Sequence, residues 1–238
     1  AANKIGIAFD DAAESGHGRF MYATVSGVDI TLTDEATFNA ATIDGNIGIA
    51  YDSTAERIAI GFRDEGDSFK GKSVVAINDT GGKVKAVGPD SAISQVIGSE
   101  TVFESASTLY VASAYDANAQ KVVIAYHDNP DSQKGKAVVG TVSSNAISFG
   151  SPVVWASSGT ASNYIAMTYD ANAQKVVIVY ADANNSNYGT AVVGTVSGTS
   201  ISYGTPAVFE SASVQDTSIV YDSNAQKVVI AYRDNGNS

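Results

Sequence analysis

Runs of consecutive apolar residues, each opened by a basic residue, recur along the chain. The segment 121–126 reads Lys-Val-Val-Ile-Ala-Tyr, and close copies open at Lys175 and Lys227. Looser copies open at Lys4 and Arg57, so the marker returns at intervals of 52 to 64 residues. A period in this range is typical of one supersecondary unit stacked on copies of itself.

Each copy reads as four short strands separated by polar turns. In the best-matched copies the first strand is 163–170, the second 175–180, the third 137–142, and the fourth 147–155 or 201–209. Asn and Asp supply the turn chemistry between them. No long segment has helical periodicity, so the sequence predicts an all-β fold.

The pattern also predicts how the strands are buried. Second and third strands are apolar on successive residues, which is typical of strands covered on both faces. The fourth strands contain Pro152 and Pro206, and proline belongs on the edge of a sheet because it cannot donate to the ladder. These features favour a β-propeller of about four four-stranded blades, in which each blade lies between two others. A β-solenoid is the alternative.

We expect a single repeat domain over residues 1–238. Its units are predicted at 1–45, 46–107, 108–162 and 163–213, with a partial unit at 214–238. The first-type strand 217–222 could close the ring by pairing with the N-terminal segment. One second-type strand would then be left over, to cap an edge, to pair with another chain, or to belong to a longer parent protein, which is the interpretation we favour.

Composition limits the classes of partner. The formal net charge of −11 disfavours nucleic acid and anionic lipid. The chain has no cysteine, which removes disulfides and thiolate metal sites, and no apolar run approaches the roughly 20 residues of a membrane span. Abundant Gly, Ser, Asn and Ala with few Lys suits an extracellular or virion-surface protein.

The tandem units resemble propeller-type repeats of tailed-phage fibre and virion-surface proteins and of large bacterial surface proteins. Residues 169–209 and 221–238 carry the resemblance, with 115–155 close behind. It implies a recognition or structural role, such as binding glycans on a host surface. The Asp-box of sialidases, Ser-x-Asp-x-Gly-x-x-Trp, is absent from the sequence, so sialidase chemistry is not supported.

The loop after each second strand carries the pattern Asp-x-x-x-Ser-x-x-Gly. One interpretation is a structural turn, in which Asp and Ser accept backbone N–H groups and Gly takes a positive φ. The other is a Ca²⁺ site built from clustered carboxylate oxygens. The candidate metal ligands are Asp64, Asp67, Asp128, Asp131 and Asp182. The Asp that ends each first strand (Asp52, Asp116, Asp170, Asp222) is interpreted as the start of a turn.

Aromatic and amide side chains suggest a sugar site. Tyr188 lies in a polar loop with Asn185 and Asn187, which would offer a flat ring and hydroxyl partners. Trp155 is a second stacking candidate, but Phe38, Phe103 and Phe209 occupy its position in other units, which favours packing between blades.

A longer second unit supplies a further binding candidate. Lys83 and Lys85 lie in its extra segment, near Lys70 and Lys72, in an otherwise acidic chain. Insertions in repeat proteins often form the binding face, although a solvated hairpin is the alternative.

The sequence contains no recognisable catalytic motif. His17 and His127 occupy different repeat positions, and there is no Ser-His-Asp order, HExxH or phosphate-binding loop. We therefore expect a non-enzymatic surface module that binds glycan or protein, with no cofactor beyond Ca²⁺. A glycan-processing enzyme and a structural assembly subunit that self-associates are the alternatives.

Overall fold

The computed structural model describes residues 4–32, 35–77, 97–156 and 162–236. These residues form 17 β-strands, paired antiparallel throughout, and three single-turn 3₁₀ segments. The all-β prediction is confirmed. Within the described residues, no helix has the length and apolar character needed to cross a membrane.

The strands group into five repeat units, which we number in chain order. Unit 1 contains β1 (Lys4–Asp11), β2 (His17–Ser26), β3 (Asp29–Leu32) and the start of β4 (Ala36–Asp52). Unit 2 contains the rest of β4, β5 (Arg57–Asp64), β6 (Lys70–Ile77) and the start of β7 (Thr101–Asp116). Unit 3 contains the rest of β7, β8 (Lys121–Asp128), β9 (Lys134–Ser143), β10 (Ala146–Phe149) and β11 (Val153–Ala156). Unit 4 contains β12 (Ser162–Asp170), β13 (Lys175–Asp182), β14 (Tyr188–Ser197), β15 (Ser200–Tyr203) and the start of β16 (Ala207–Asp222). Unit 5 contains the rest of β16 and β17 (Lys227–Asp234).

Long strands are shared between neighbouring units. β7 pairs with β6 as far as Ser107 and with β8 from Thr108 onward. The last strand of unit 2, which we call its outer strand, therefore continues directly into the first strand of unit 3, which we call its inner strand. β4 and β16 make the same transition between their units. As a result, hydrogen bonding joins units 1 to 3 into one 11-stranded sheet, while units 4 and 5 form a six-stranded sheet.

The fourth strand of unit 3 is interrupted, whereas the sequence predicted one strand over 147–155. β10 and β11 both pair with β9, and the break between them contains Gly150 and Pro152. Pro206 lies in the corresponding break of unit 4. Proline is confirmed on the outer edge, and it interrupts the strand because it has no N–H to donate.

Neighbouring units bury the apolar strands from both sides. In β8, Ile124 packs in one cluster with Ala59 and Val75 of unit 2. The adjacent Val123 points the other way and packs with Val176 and Ile178 of unit 4. Alternate side chains of a strand face opposite sides of its sheet, so a run of successive apolar residues needs a neighbour on each side. The predicted two-sided burial is confirmed for the units inside the stack.

Ring closure is not present among the described residues. The inner strands contact one another in order, β4 with β7, β7 with β12, and β12 with β16. The strand 217–222, expected to pair with the N-terminal segment, instead pairs with β17, with Val220 opposite Val229. Pairing of this strand with the N-terminal segment is not present among the described residues. The number of blades and a closed propeller stay predictions.

Candidate functional site

Aspartate turns connect the first and second strands of the units. One carboxylate oxygen of Asp116 accepts the backbone N–H groups of Asn118 and Ala119, at 3.0 and 2.9 Å. Asp52, Asp170 and Asp222 make the equivalent pairs of bonds. The interpretation of these aspartates as turn residues is confirmed.

A different aspartate turn forms the loop between the second and third strands, which carries the Asp-x-x-x-Ser-x-x-Gly pattern. Asp64 Oδ1 accepts the backbone N–H of Asp67 at 3.2 Å. Ser68 has a φ of 56°, and Ser132 and Ser186 both have a φ of 54°. The prediction that the glycine of the pattern takes the positive φ is wrong, because the serine adopts it.

The glycine of the pattern makes room for an aromatic ring instead. A Cβ at Gly71 would lie 2.4 Å from the ring of Phe103, and one at Gly135 would lie 2.6 Å from that of Trp155. A Cβ at Gly18 would likewise overlap the ring of Phe38, and one at Gly189 would overlap that of Phe209. Glycine is needed here because any side chain would displace the ring.

Each of these rings packs on an aromatic ring of the following unit. The centroids of Phe103 and Tyr126 are 5.2 Å apart, and those of Trp155 and Tyr180 are 4.7 Å apart in an edge-on arrangement. Trp155 is buried between units 3 and 4. The stacking role considered for Trp155 is therefore wrong, and the alternative of packing between units is the one the structure has.

Lysine side chains form ion pairs with the carboxylates of the same loops. Lys72 Nζ lies 2.7 Å from Asp64, 3.1 Å from Asp67 and 3.1 Å from Glu100. Burial alone would lower the pKa of Lys72, but these three carboxylates outweigh it and raise that pKa. In unit 3 the equivalent Lys136 lies 2.6 Å from Asp128 and 2.7 Å from Asp131.

Lysine side chains already pair with four of the five carboxylates proposed as calcium ligands, namely Asp64, Asp67, Asp128 and Asp131. Bonds from Lys70 and Lys72 hold the pKa of Asp67 below its usual value, and Lys136 and Lys134 do the same for Asp131. Asp182 accepts the backbone N–H of Asn184 at 3.1 Å. In the described part of the chain, no group of three His, Cys, Asp or Glu is placed to hold a metal ion. The calcium site stays a prediction that these contacts do not support.

The proposed sugar loop is a single turn of unit 4. Asn185 ends a 3₁₀ segment and is exposed, while Asn187 has a φ of 61°. The Asn187 N–H donates to Asp182 O at 2.8 Å, and its carbonyl accepts from Val214 N at 3.0 Å. Tyr188 follows as the half-buried first residue of β14. The three residues are brought together, whereas Lys83 and Lys85 lie outside the described residues.

The inner strands begin with a feature that the sequence pattern did not predict. The inner strands of units 3, 4 and 5 each have a β-bulge, at which two residues of the strand oppose one residue of the second strand. The first bulged residue is Tyr110 in unit 3, Tyr164 in unit 4 and Asp216 in unit 5, with φ of 51°, 54° and 50°. We call these three residues the bulge row.

The aromatic members of the bulge row contact each other across two units. The ring centroids of Tyr110 and Tyr164 are 5.7 Å apart, and both residues are half-buried. The ring of His127 lies nearly parallel to Tyr110 at 6.2 Å. A positive φ is uncommon for a bulky side chain and costs roughly 1 to 3 kcal/mol, and such residues cluster at binding and catalytic sites.

The third member of the row is charged. Asp216 Oδ2 lies 3.4 Å from Arg233 Nε, and both side chains are exposed. The bulge row therefore places tyrosine rings in units 3 and 4. At the equivalent position of unit 5 it places the Asp216 carboxylate, which lies beside the Arg233 guanidinium. A comparison of repeat positions could have found it, because Tyr110, Tyr164 and Asp216 align where the units otherwise agree closely.

A tyrosine–carboxylate pair that recurs between units is structural. Tyr126 donates to Glu104 Oε2 at 3.1 Å, and Tyr232 donates to Glu210 Oε2 at 2.8 Å. Burial and the charge of Glu104 raise the pKa of Tyr126, so the phenol stays protonated and is not an activated nucleophile.

Comparison with known proteins finds a likeness in fold alone. No protein-family model and no curated protein sequence matches the chain. Among solved structures, the K499G mutant of NanB sialidase from Streptococcus pneumoniae is similar, with a TM-score of 0.51 and 15% sequence identity. The match covers 76% of this chain and 26% of the sialidase chain. Sialidases are β-propellers, so the likeness is consistent with propeller-type sheets, and no family model or sequence homologue supports the resemblance to phage-fibre repeats.

Proposed function

We propose that this chain is a non-catalytic carbohydrate-binding repeat module that holds a glycan at the bulge row. The observation that carries the proposal is the contact between the Tyr110 and Tyr164 rings, both held at positive φ in neighbouring units. The two half-buried tyrosine rings, in contact with each other, supply aromatic surface against which the C–H groups of a sugar can pack.

Polar groups for the sugar hydroxyls would come from the same end of the units. The Asp216 carboxylate and the Arg233 guanidinium supply an acceptor and a donor fork in unit 5. Because this pair is exposed, it is worth little to stability, so its groups can exchange partners with a ligand at low cost.

A second candidate function is glycoside hydrolysis. The likeness to a sialidase favours it, since the two chains share their type of fold. A fold hosts many activities, however, and the chemistry must come from a site. The carboxylates of units 2 and 3 nearest the loops are bound by lysines, which supports binding over hydrolysis.

The test replaces the rings without straining the bulges. Asparagine tolerates positive φ, so Tyr110→Asn and Tyr164→Asn remove each ring while the backbone keeps its conformation. We expect each change to weaken the affinity for a bound glycan by about tenfold or more. Binding is measured by calorimetry with 3′-sialyllactose and with lactose, after a glycan array has identified further ligands.

A matched control separates ligand contact from folding. Tyr51 is an exposed tyrosine at the far end of an inner strand, so Tyr51→Asn should leave the affinity unchanged. Equal loss in all three variants, or no glycan bound by the unsubstituted chain, contradicts the proposal. Release of sialic acid from a fluorogenic sialoside would instead support the hydrolase.

The setting of this activity rests on composition and resemblance. We infer display on a virion or cell surface, where a rigid acidic module would meet glycans of a host. A protein partner remains the alternative ligand, and the array and a pull-down on defined glycoproteins would distinguish the two.

A further inference from the structure

The outermost units leave uncovered the apolar positions that are buried inside the stack. In unit 1, Ile5 and Ile30 are 52% and 66% exposed. Their repeat equivalents in unit 3, Val122 and Ile147, are 0% and 4% exposed. The difference arises because unit 2 covers this side of unit 3, whereas no described unit covers the same side of unit 1.

The opposite side of unit 5 is uncovered in the complementary way. Val220 and Val229 are 60% and 51% exposed. Their equivalents in unit 3, Ala114 and Val123, are 7% and 0% exposed, because unit 4 packs on them. We call Ile5, Ile7 and Ile30 the N-face, and Val220 and Val229 the C-face.

The two faces are the two halves of one repeated interface. Inside the stack, Ala114 and Val123 form a single cluster with three residues of unit 4, Val176, Ile178 and Ile201. The first two correspond by repeat position to the C-face, and the last three correspond to the N-face. The C-face and the N-face therefore have the apolar residues needed to pack against each other as units 3 and 4 do.

We propose that the C-face of one copy of this chain binds the N-face of a second copy, continuing the stacking between units from one molecule to the next. Such a contact is heterologous, so it leaves a free N-face and a free C-face at the ends of a dimer. Addition of further copies then produces either a closed ring or an open filament. This proposal is independent of glycan binding.

Charge modulates the contact in a defined direction. Each chain carries a formal net charge of −11, so copies repel each other at low ionic strength. Salt screens this repulsion, while the burial of valine and isoleucine side chains is apolar and persists. Association should therefore strengthen as salt is raised.

The experiment is analytical ultracentrifugation of the chain and three charged variants over a concentration series. We expect the unsubstituted chain to exceed the monomer mass, and Ile30→Asp and Val229→Asp each to remain monomeric. The control is Val154→Asp, since Val154 is exposed, as are Val102 and Val208 at its repeat position in other units. Val154→Asp should associate as the unsubstituted chain does.

Mixing the two monomeric variants tests the head-to-tail arrangement. Ile30→Asp retains an intact C-face, and Val229→Asp retains an intact N-face, so an equimolar mixture should form a complex of twice the monomer mass and no larger. Circular dichroism confirms that both variants are folded.

Three results would overturn the proposal. The unsubstituted chain could remain monomeric up to about 1 mM, which corresponds to a binding free energy weaker than about −4 kcal/mol. Either face variant alone could still dimerise, which would indicate a face-to-face contact of two like surfaces. The mixture of the two variants could also remain monomeric.

Discussion

Trp155→Ala is expected to lower the free energy of unfolding by about 3 to 5 kcal/mol. The ring is buried between units 3 and 4, against Tyr180 on one side and over Gly135 on the other. Alanine removes this contact and leaves a cavity that the rigid sheets cannot close. Urea unfolding followed by near-ultraviolet circular dichroism measures the effect.

Two further variants make the result specific. Val154 is the exposed neighbour of Trp155 in β11, so Val154→Ala should change the stability by about 0.5 kcal/mol or less. Tyr180→Ala should also destabilise, and the double variant should lose less than the two losses added together, because both residues share one contact. An additive double variant, or a Trp155→Ala loss as small as that of Val154→Ala, would contradict the packing between units.

Lys72→Met is expected to cost about 3 kcal/mol of stability. The side chain is about one-tenth exposed, and its ammonium group forms ion pairs with Asp64, Asp67 and Glu100. Methionine keeps most of the volume but leaves the buried Asp64 carboxylate without its counter-charge. Asn39 still donates to Asp64 at 3.0 Å, but it carries no charge to compensate the carboxylate.

The neighbouring lysine provides the control. Lys70 is more exposed and, among the residues that the structure describes, pairs only with Asp67, so Lys70→Met should cost about 1 kcal/mol or less. Replacing Asp64 by Asn in the Lys72→Met variant should recover part of the loss, because it removes the uncompensated charge. Equal losses for the two lysine variants would show that the cluster contributes no more than a surface pair.

Much of the fold could be predicted because its causes are local. The Val-Val-Ile runs require cover on both faces whatever their partners are, and Ile124 and Val123 are buried by different units as expected. The aspartates at the strand ends form turns through bonds that span two or three residues. Such short-range chemistry is readable from a single sequence.

The remaining features depend on contacts far apart in the chain. Nothing in the residues around Ser107 and Thr108 marks the point at which β7 changes partner. Gly71 is required by Phe103, which lies 32 positions later and meets it only in the folded sheet. The bulges at Tyr110 and Tyr164 likewise follow from pairing register, which local propensity does not determine.

Hydrogen exchange of the dilute monomer, read by mass spectrometry, tests most directly whether the units shield one another. We expect amides of β8 and β13, inside the stack, to be the slowest to exchange, because they open only when the core unfolds. Amides of β1 and β17, each in an outermost unit, should exchange much faster. Equal protection of all four strands, or faster exchange in β8 than in β17, would show that the units do not shield one another.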